Sequence, residues 1–485
     1  MVRGAALGTA ALVAGPLAAC GGSERRAVAV VGGGLAGLTC AYRLNQRGVE
    51  VAVYEARADR VGGRCWTARG FADGQVAEHG GEFIDSDHAR IRALVRELGL
   101  RLEDREAWAK IRSGRYSRLY LDGALRAEDE VFRNYAAALQ RLRSVARRTG
   151  YFRSYANRDA RAFDARTAGE WLDANVTGGD GSLLGQAMRE YLAEEFGLDA
   201  TRLTATDLLY LVEGPRSGGD PADTDPSDER YHVHGGNDQV PRLLAEGLSD
   251  GTLHLDAPLE ALWRRGDGSY RLRVGGVRGD VAADQVVLAA PFTTLSDVDL
   301  DRAGLSRVKR RCIAELGMGT NAKVLMQFRH RPDHFHRWNG DLTTDRPFGD
   351  TWDTSLTQPG RDGLLTLYSG GAVGASYHAR RAHGPAPPHV VRDSLAALER
   401  AVPGISRDFN GHAWLDDWAA DPWVHGSYAA FLPGQYTRYA GVIARREGGV
   451  HFAGEHTSDA YQGFLEGAVA SGERCAREVL RARGA

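Results

Sequence analysis

The chain has 485 residues, enough for two substantial domains or for one domain carrying a large insertion. A hydrophobic fraction of 43% allows a sizeable core, and a formal net charge of −2 argues against a dedicated nucleic-acid binder. Cys20, Cys40, Cys65, Cys312 and Cys475 are scattered without C-x-x-C spacing, so neither a zinc site nor a disulfide framework is indicated and no metal is expected.

Residues 1–23 read as a targeting segment: Arg3, then a short Gly/Ala-rich apolar run too short for a good transmembrane helix. The ending Leu17-Ala18-Ala19-Cys20 resembles a bacterial lipoprotein cleavage box. Cys20 is therefore a candidate lipidated N-terminus, and export to the cell envelope is expected, with any membrane contact made only through that anchor. An ordinary cleaved signal with an incidental cysteine is the alternative, and the opening also looks like the tail of a twin-arginine signal.

The apolar run Ala27–Val31 ends in Gly32, Gly34 and Gly37 at G-x-G-x-x-G spacing, and a helical pattern follows through Leu44. Gly32 allows the tight turn, Gly34 lets a pyrophosphate approach the backbone, and Gly37 lets the helix pack close to the strand. Free N–H groups of Leu35 and Ala36 at the helix start face phosphates. A second strand, Val49–Tyr54, ends at Glu55, placed to accept from a ribose hydroxyl. Val61-Gly62-Gly63-Arg64 can wrap the outer side of a pyrophosphate, and Gly80-Gly81-Glu82-Phe83 is a further glycine pair at a strand edge.

Ile91–Leu98 is expected to be helical, 108–126 to form a hairpin turning at Asp122-Gly123, and 129–148 to form a helix. Further helices are expected at 167–175, 182–196 and 204–213, followed by a loop over 217–229. After Gly235-Gly236 come a helix at 240–248 and strands near 254, 259–263, 270–274 and 286–290. Lys323–Phe328 and Leu364–Tyr368 are strands, and 390–402 is a helix. His330, His334 and His336 belong to a solvated loop rather than to a metal site. Val450–Phe452 leads into Gly454-Glu455, and Glu466–Arg483 is an amphipathic helix.

These motifs, in this order from about residue 26 to the C-terminus, resemble the flavin-containing amine oxidase family of monoamine, polyamine and L-amino acid oxidases. The resemblance implies an α/β protein: a Rossmann-like FAD-binding domain assembled from discontinuous segments (24–100, 231–300, 421–485) and a mixed α+β substrate domain (101–230, with a helical insert, and 301–420). It implies FAD held through Glu55, Ala56, Arg57, Gly63, Arg64, Gly80, Gly81, Leu259, Trp418, Gly454, Glu455 and Leu465, with Val469 opening the last helix toward the flavin. Lys323 matches the lysine that holds a water beside flavin N5. Tyr428 and Phe464 match the two walls of an aromatic cage, with Tyr461 nearby.

Two departures carry information. Ser427 stands where some relatives attach flavin through cysteine, which implies non-covalent FAD. Phe83 stands where L-amino acid oxidases have an arginine fork, and the neighbouring Glu82 repels a carboxylate, which favours an amine without one. Glu82 is also a candidate for attracting a second substrate ammonium or for contacting the flavin. The expected reaction is oxidation of a small amine to an imine by hydride transfer to flavin N5, with O2 reduced to H2O2. The alternatives are an L-amino acid oxidase with a relocated carboxylate site, an FAD-dependent desaturase or porphyrinogen-type oxidase, and a flavin-holding protein without turnover. A homodimer is also among the expectations.

Overall fold

A computed structural model describes residues 25–111, 116–150, 157–212 and 227–484. The targeting reading of residues 1–23, Cys20 included, and most of the loop expected over 217–229 lie outside the described residues.

The strand Arg25–Val31 lies between parallel neighbours Val51–Tyr54 and Val281–Leu288. Its residues Val28–Val31 are almost fully buried, the near-continuous apolar run of a strand covered on both faces. Leu253–His254 and Val450–Phe452 extend this sheet in parallel, while Leu259–Arg264 and Tyr270–Val274 add an antiparallel edge. The sheet therefore takes strands from three separated stretches of chain. The helices Leu35–Asn45 and Leu465–Ala482 pack together on one face, around Leu38, Leu44, Val469 and Val479.

A second, eight-stranded sheet runs in the spatial order His383–Pro385, Phe409–Asp417, Ala322–Phe328, Gly363–Ser369, Asp350–Asp353, Trp338–Thr344, Tyr116–Leu121 and Ala124–Arg126. A helical block made of Tyr135–Thr149, Arg158–Asp164, Ala168–Asn175, Leu183–Phe196 and Ala205–Val212 packs around a core that includes Leu142, Trp171, Leu192 and Leu208. Among the described residues no helix is long and apolar enough to cross a membrane.

Several expected elements differ in extent. The hairpin covers only Tyr116–Arg126, turning at Asp122 and Gly123 with φ of 51° and 75°, and Arg105–Ile111 before it is a helix. The two positive φ values define a tight hairpin turn, which local sequence can signal, whereas the start of the strand is set by pairing with Trp338–Thr344. The helix expected over 129–148 is two, Glu128–Val131 and Tyr135–Thr149. The segment at Ala205–Val212 is a 3₁₀ helix. The strand near 286 begins earlier, at Val281, because its first residues pair with Tyr270–Leu272. His330 Nδ1 meets Asp408 Oδ1 at 2.7 Å, and its ring stacks on His334.

Candidate active site

Between the two sheets lies a cavity of about 1900 Å³. This exceeds the ~300–1,000 Å³ of an ordinary small-molecule pocket, so it has room for an extended dinucleotide and a substrate together. Its nucleotide end is built by the first strand–turn–helix. Gly32 has φ of +104°, and a Cβ there would lie 3.0 Å from the Ala289 carbonyl carbon. A Cβ on Gly37 would lie 2.0 Å from the Gly32 carbonyl oxygen, so Gly37 is required by packing and does not line the cavity. Gly34 faces open space. The helix that begins at Leu35 has no side-chain cap and no acid in its first turn. Its unsatisfied N–H groups therefore remain available to an anion.

Glu55, buried at the end of the second strand, accepts from Gly33 N–H at 2.6 Å and from Arg57 N–H at 2.8 Å. Burial pushes its carboxyl up, while those N–H donors and Arg57 oppose the shift. Arg57 is paired with Asp421, and Asp421 also meets His383 Nε2 at 2.8 Å. Ala56, Gly63, Arg64, Gly80, Gly81, Leu259, Trp418 and Gly454 all line the same cavity. A Cβ on Gly80 would strike the Arg64 carbonyl oxygen at 2.0 Å, and one on Gly81 would meet Leu465 at 2.8 Å. The Gly-Gly pair therefore lets two chain segments close on one another. Trp418 Nε1 donates to the His79 carbonyl at 2.8 Å and fixes this corner.

The substrate end is organised by sheet register. Asp416, Lys323, Tyr368 and Asp350 are directly opposite one another across four adjacent antiparallel strands, so their side chains share a face. Trp352, two residues beyond Asp350, is on the same face. Lys323 is 5% exposed. Its Nζ donates to the carbonyls of Glu78 (3.1 Å) and Gly80 (2.8 Å) and to Glu82 Oε2 (2.9 Å). Glu82 Oε1 accepts from Trp352 Nε1 at 2.9 Å and Thr354 Oγ1 at 3.4 Å. Burial by itself raises the Glu82 carboxyl, but the Lys323 charge and hydrogen bond bring it below the usual carboxylate range. Glu82 is thus the counter-charge of Lys323. Glu82 therefore reaches this end of the cavity already paired, with Lys323 on one oxygen and Trp352 on the other.

The aromatic wall has its own support. Tyr428 donates to the Glu194 carbonyl at 2.6 Å and shares a 3.0 Å hydroxyl–hydroxyl contact with Tyr368. Phe464 precedes the last helix, lines the cavity and meets the His88 ring at 5.1 Å. Glu455 ties the two rings together. Its Oε1 accepts from Ala429 N–H (3.2 Å) and Arg64 Nη1 (2.9 Å), and its Oε2 accepts from Gly463 N–H (2.8 Å). One carboxylate therefore holds the residue after Tyr428 and the residue before Phe464. Arg64 also donates to the Ser427 carbonyl at 2.5 Å. The Glu455 carboxylate, expected at a ribityl contact, is occupied by these three protein donors.

Two expected residues stand behind the wall. Tyr461 does not line the cavity; its hydroxyl donates to Asp87 at 3.2 Å. Val469 is fully buried in the second turn of a helix that starts at Leu465, so the free N–H groups belong to Leu465 and its successors. The Gly467-Ala468-Val469 pattern does not fix that start, because Phe464 is the extended N-cap residue. Phe83 lines the cavity with Trp352 at 5.3 Å, and the Arg105 guanidinium lies 4.3 Å over its ring. Sequence reasoning missed Arg105, Tyr368, Trp352, Glu194, Glu195 and Glu229, all of which line the cavity. They lack a local motif; pairing across strands and helix packing bring them in.

The residues fit FAD on three observations: the open cradle at Gly34, the uncapped helix start behind it, and His456. His456 is 3% exposed, lines the cavity, and has neither ring nitrogen partnered among the described residues. Burial lowers its pKa to about 4, so it presents a neutral imidazole.

The sequence model of the family described as flavin containing amine oxidoreductase matches residues 35–480. A pseudooxynicotine dehydrogenase from Pseudomonas sp is 25% identical over 476 residues, covering 93% of this chain and 85% of the relative. An L-amino-acid oxidase from Siganus canaliculatus is 25% identical over 474 residues, with the same coverages of 93% and 85%. Among solved structures, cyclohexylamine oxidase from Brevibacterium oxydans superposes with a TM-score of 0.80 at 22% identity, covering 95% of this chain and 100% of that one.

Proposed function

The chain belongs to the flavin-containing amine oxidoreductase family, and from that premise we propose that it oxidises an amine lacking an α-carboxylate, with O2 as acceptor. FAD-dependent amine oxidation is the family's chemistry; bound FAD would supply the hydride acceptor. The observation that carries the finer reading is the Phe83 corner. An apolar ring stands there, and the guanidinium above it, Arg105, is faced by the carboxyls of Glu82, Glu229 and Asp341. Lys323 is already matched by Glu82, and Arg105 is faced by Glu229 and Asp341, so a substrate carboxylate entering this corner competes with resident acids for either charge.

The chain's own residues divide the work. Gly34 and the Leu35 helix start would hold the pyrophosphate, and Glu55 the ribose. Tyr428 and Phe464 offer ring faces that align an amine and attract it before deprotonation. Lys323 keeps a buried positive charge at the strand start, where developing negative charge on reduced oxygen would be stabilised. Tyr368, whose hydroxyl meets that of Tyr428, leaves lone pairs to accept from a substrate N–H. No side chain need act as general base if the amine binds unprotonated. Ser427 offers no thiol for attachment, which supports FAD held without a covalent bond.

The test is anaerobic bleaching of the bound flavin by amines, each paired with the α-amino acid that differs from it only by a carboxylate. Bleaching by the amines is expected; bleaching confined to the amino acids overturns the reading. Export and lipidation at Cys20 form part of the same proposal, supported by the Leu17–Cys20 sequence. Mass analysis of the mature N-terminus in the native host and in a Cys20→Ser variant tests them. A homodimer is tested by the sedimentation mass of the holoenzyme.

A further inference from the structure

Behind the cavity wall runs a row of alternating bases and acids: Arg57, Asp421, His383, Asp416 and His79. Its two ends, Arg57 and His79, line the cavity, and the three members between them do not. The row joins parts of the chain that are far apart in sequence. His383 comes from the outer strand His383–Pro385 of the second sheet and stands in register with Asp416 on Phe409–Asp417. Asp421 follows the short turn Trp418–Ala420, and Arg57 follows the strand Val51–Tyr54 of the first sheet.

His383 is the middle of the row, and geometry fixes its state. Its Nδ1 lies 2.7 Å from Asp416 Oδ1, and its Nε2 lies 2.8 Å from Asp421 Oδ2. A neutral imidazole carries one N–H, so it would serve one carboxylate and set a lone pair against the other. Both contacts are favourable only when both nitrogens are protonated. The side chain is 10% exposed and packs against the rings of Trp418 and Trp66 at 4.5 Å and 5.2 Å. Burial by itself raises both acids. His79 and His383 bring Asp416 below the usual carboxylate range, and His383 and Arg57 bring Asp421 down to about 2. Two ionised carboxylates one imidazole apart repel each other once the charge between them is lost.

We infer that His383 is a positioning residue for the FAD site: as an imidazolium it holds Asp421 on Arg57 and Asp416 on His79, and so sets both cavity-lining ends of the row. The inference rests on FAD occupying this cavity. The Arg57 end belongs to the nucleotide cradle. The His79 end backs Lys323: the His79 carbonyl accepts from Trp418 Nε1 at 2.8 Å, and the next carbonyl, that of Gly80, accepts from Lys323 Nζ at 2.8 Å. Burial lowers the His383 pKa, but the hydrogen bonds and charges of Asp416 and Asp421 raise it above the ordinary histidine value. The charged and titratable groups that face it are Asp416 and Asp421, with His79 and Arg57 beyond them. With a raised folded value, the support that His383 gives is present at low pH and lost as pH rises through that value.

The experiment follows FAD release from the holoenzyme, read as recovery of free-flavin fluorescence on dilution. It compares the wild type, His383→Gln, Asp421→Asn and the double variant. Near pH 6, His383→Gln is expected to speed release at least about tenfold, the scale of one charge-assisted hydrogen bond. The ratio of variant to wild-type rates should narrow toward about pH 9, where the wild type loses the same charge. Because His383 acts through Asp421, the two substitutions should not multiply in the double variant. An unchanged release rate in folded His383→Gln overturns the inference. So does a ratio that stays constant across pH, and so do effects that multiply, which would mark separate structural roles. If the wild type holds no flavin, the cofactor reading falls and the inference with it. Should His383→Gln fail to fold, the wild type still provides the test: its release should quicken as pH rises through this window, and a flat profile overturns the inference.

Discussion

Lys323 and Glu82 face one another at 2.9 Å, with side-chain exposures of 6% and 5%. Removing one member of such a buried pair strands the other, at a cost of about 3–5 kcal/mol. Lys323→Met should therefore lower the denaturation midpoint markedly and reduce turnover by about 10²–10³-fold. The double variant Lys323→Met/Glu82→Gln should regain most of the stability, because the amide that replaces the carboxylate can still accept from Trp352, yet regain no activity. Melting curves and steady-state peroxide assays on the wild type, Lys323→Met, Glu82→Gln and the double variant separate the two effects. Glu229 and Asp350 make the opposite kind of prediction. Both carboxyls are pushed up to about 8, Glu229 by burial against Arg105's attraction and with Glu195, Asp85 and Asp350 adding repulsion, Asp350 by burial and by Asp341. A carboxyl with a raised folded pKa makes the folded chain bind more protons than the unfolded one between the ordinary carboxylate range and about 8. Its contribution is present at low pH and is lost as pH rises through that window. Glu229→Gln or Asp350→Asn should accordingly raise the melting temperature at pH 8.5 and change it little at pH 4.5. A melting temperature that falls equally at both values would contradict this reading. Such charges are kept at the expense of stability, as functional groups commonly are.

At the level of single elements, the two ends of the cavity depend on chain segments meeting, and glycines show how. Gly34 opens the first helix with φ of −74° and nothing within 4 Å of a notional Cβ, whereas a Cβ on Gly37 would strike backbone. Gly34→Val should thus fold and lose FAD, while Gly37→Val should impair folding itself. Flavin absorbance per folded chain, read beside far-UV circular dichroism, distinguishes the two. The Gly454–Glu455 turn after the strand Val450–Phe452 has a comparable task at the other end. Glu455 engages Ala429, Gly463 and Arg64 at once, so Glu455→Gln keeps the shape and loses the charge that Arg64 needs. A loss of about 1.5–3 kcal/mol is expected for a charge-assisted contact of this kind. The Tyr428 and Phe464 rings should then lose their alignment, with KM for the amine rising and the flavin spectrum shifting. An unaltered spectrum with unaltered KM would deny Glu455 this positioning role.

For the molecule as a whole, the cavity exists only because two sheets and a helical block close around it, and Lys323 reaches across from one sheet to carbonyls beside the other. FAD should therefore stabilise both units together. At a free concentration of 100 times Kd, linkage gives about 2.7 kcal/mol, so one cooperative thermal transition should move upward when apoprotein is reloaded. The sequence determined the nucleotide end by itself. Gly32, Gly34, Gly37 and Glu55 belong to one strand–turn–helix–strand unit and its end, with Gly63 and Arg64 in the turn that follows, and there a local backbone requirement leaves its mark as a glycine or a charged residue at fixed spacing. The aromatic pair and Lys323 were legible through family likeness, since nothing in their immediate neighbours names a role. Tertiary structure alone decided the rest. Register across antiparallel strands set Asp350, Tyr368 and Lys323 in one row, and helix packing brought Glu194 and Glu195 to face them. The start of the last helix turned Val469 inward and left the cavity to Leu465. Contacts between residues far apart in the chain are chosen by packing and by the pairing of backbone groups, and these leave no periodic trace in the amino-acid order.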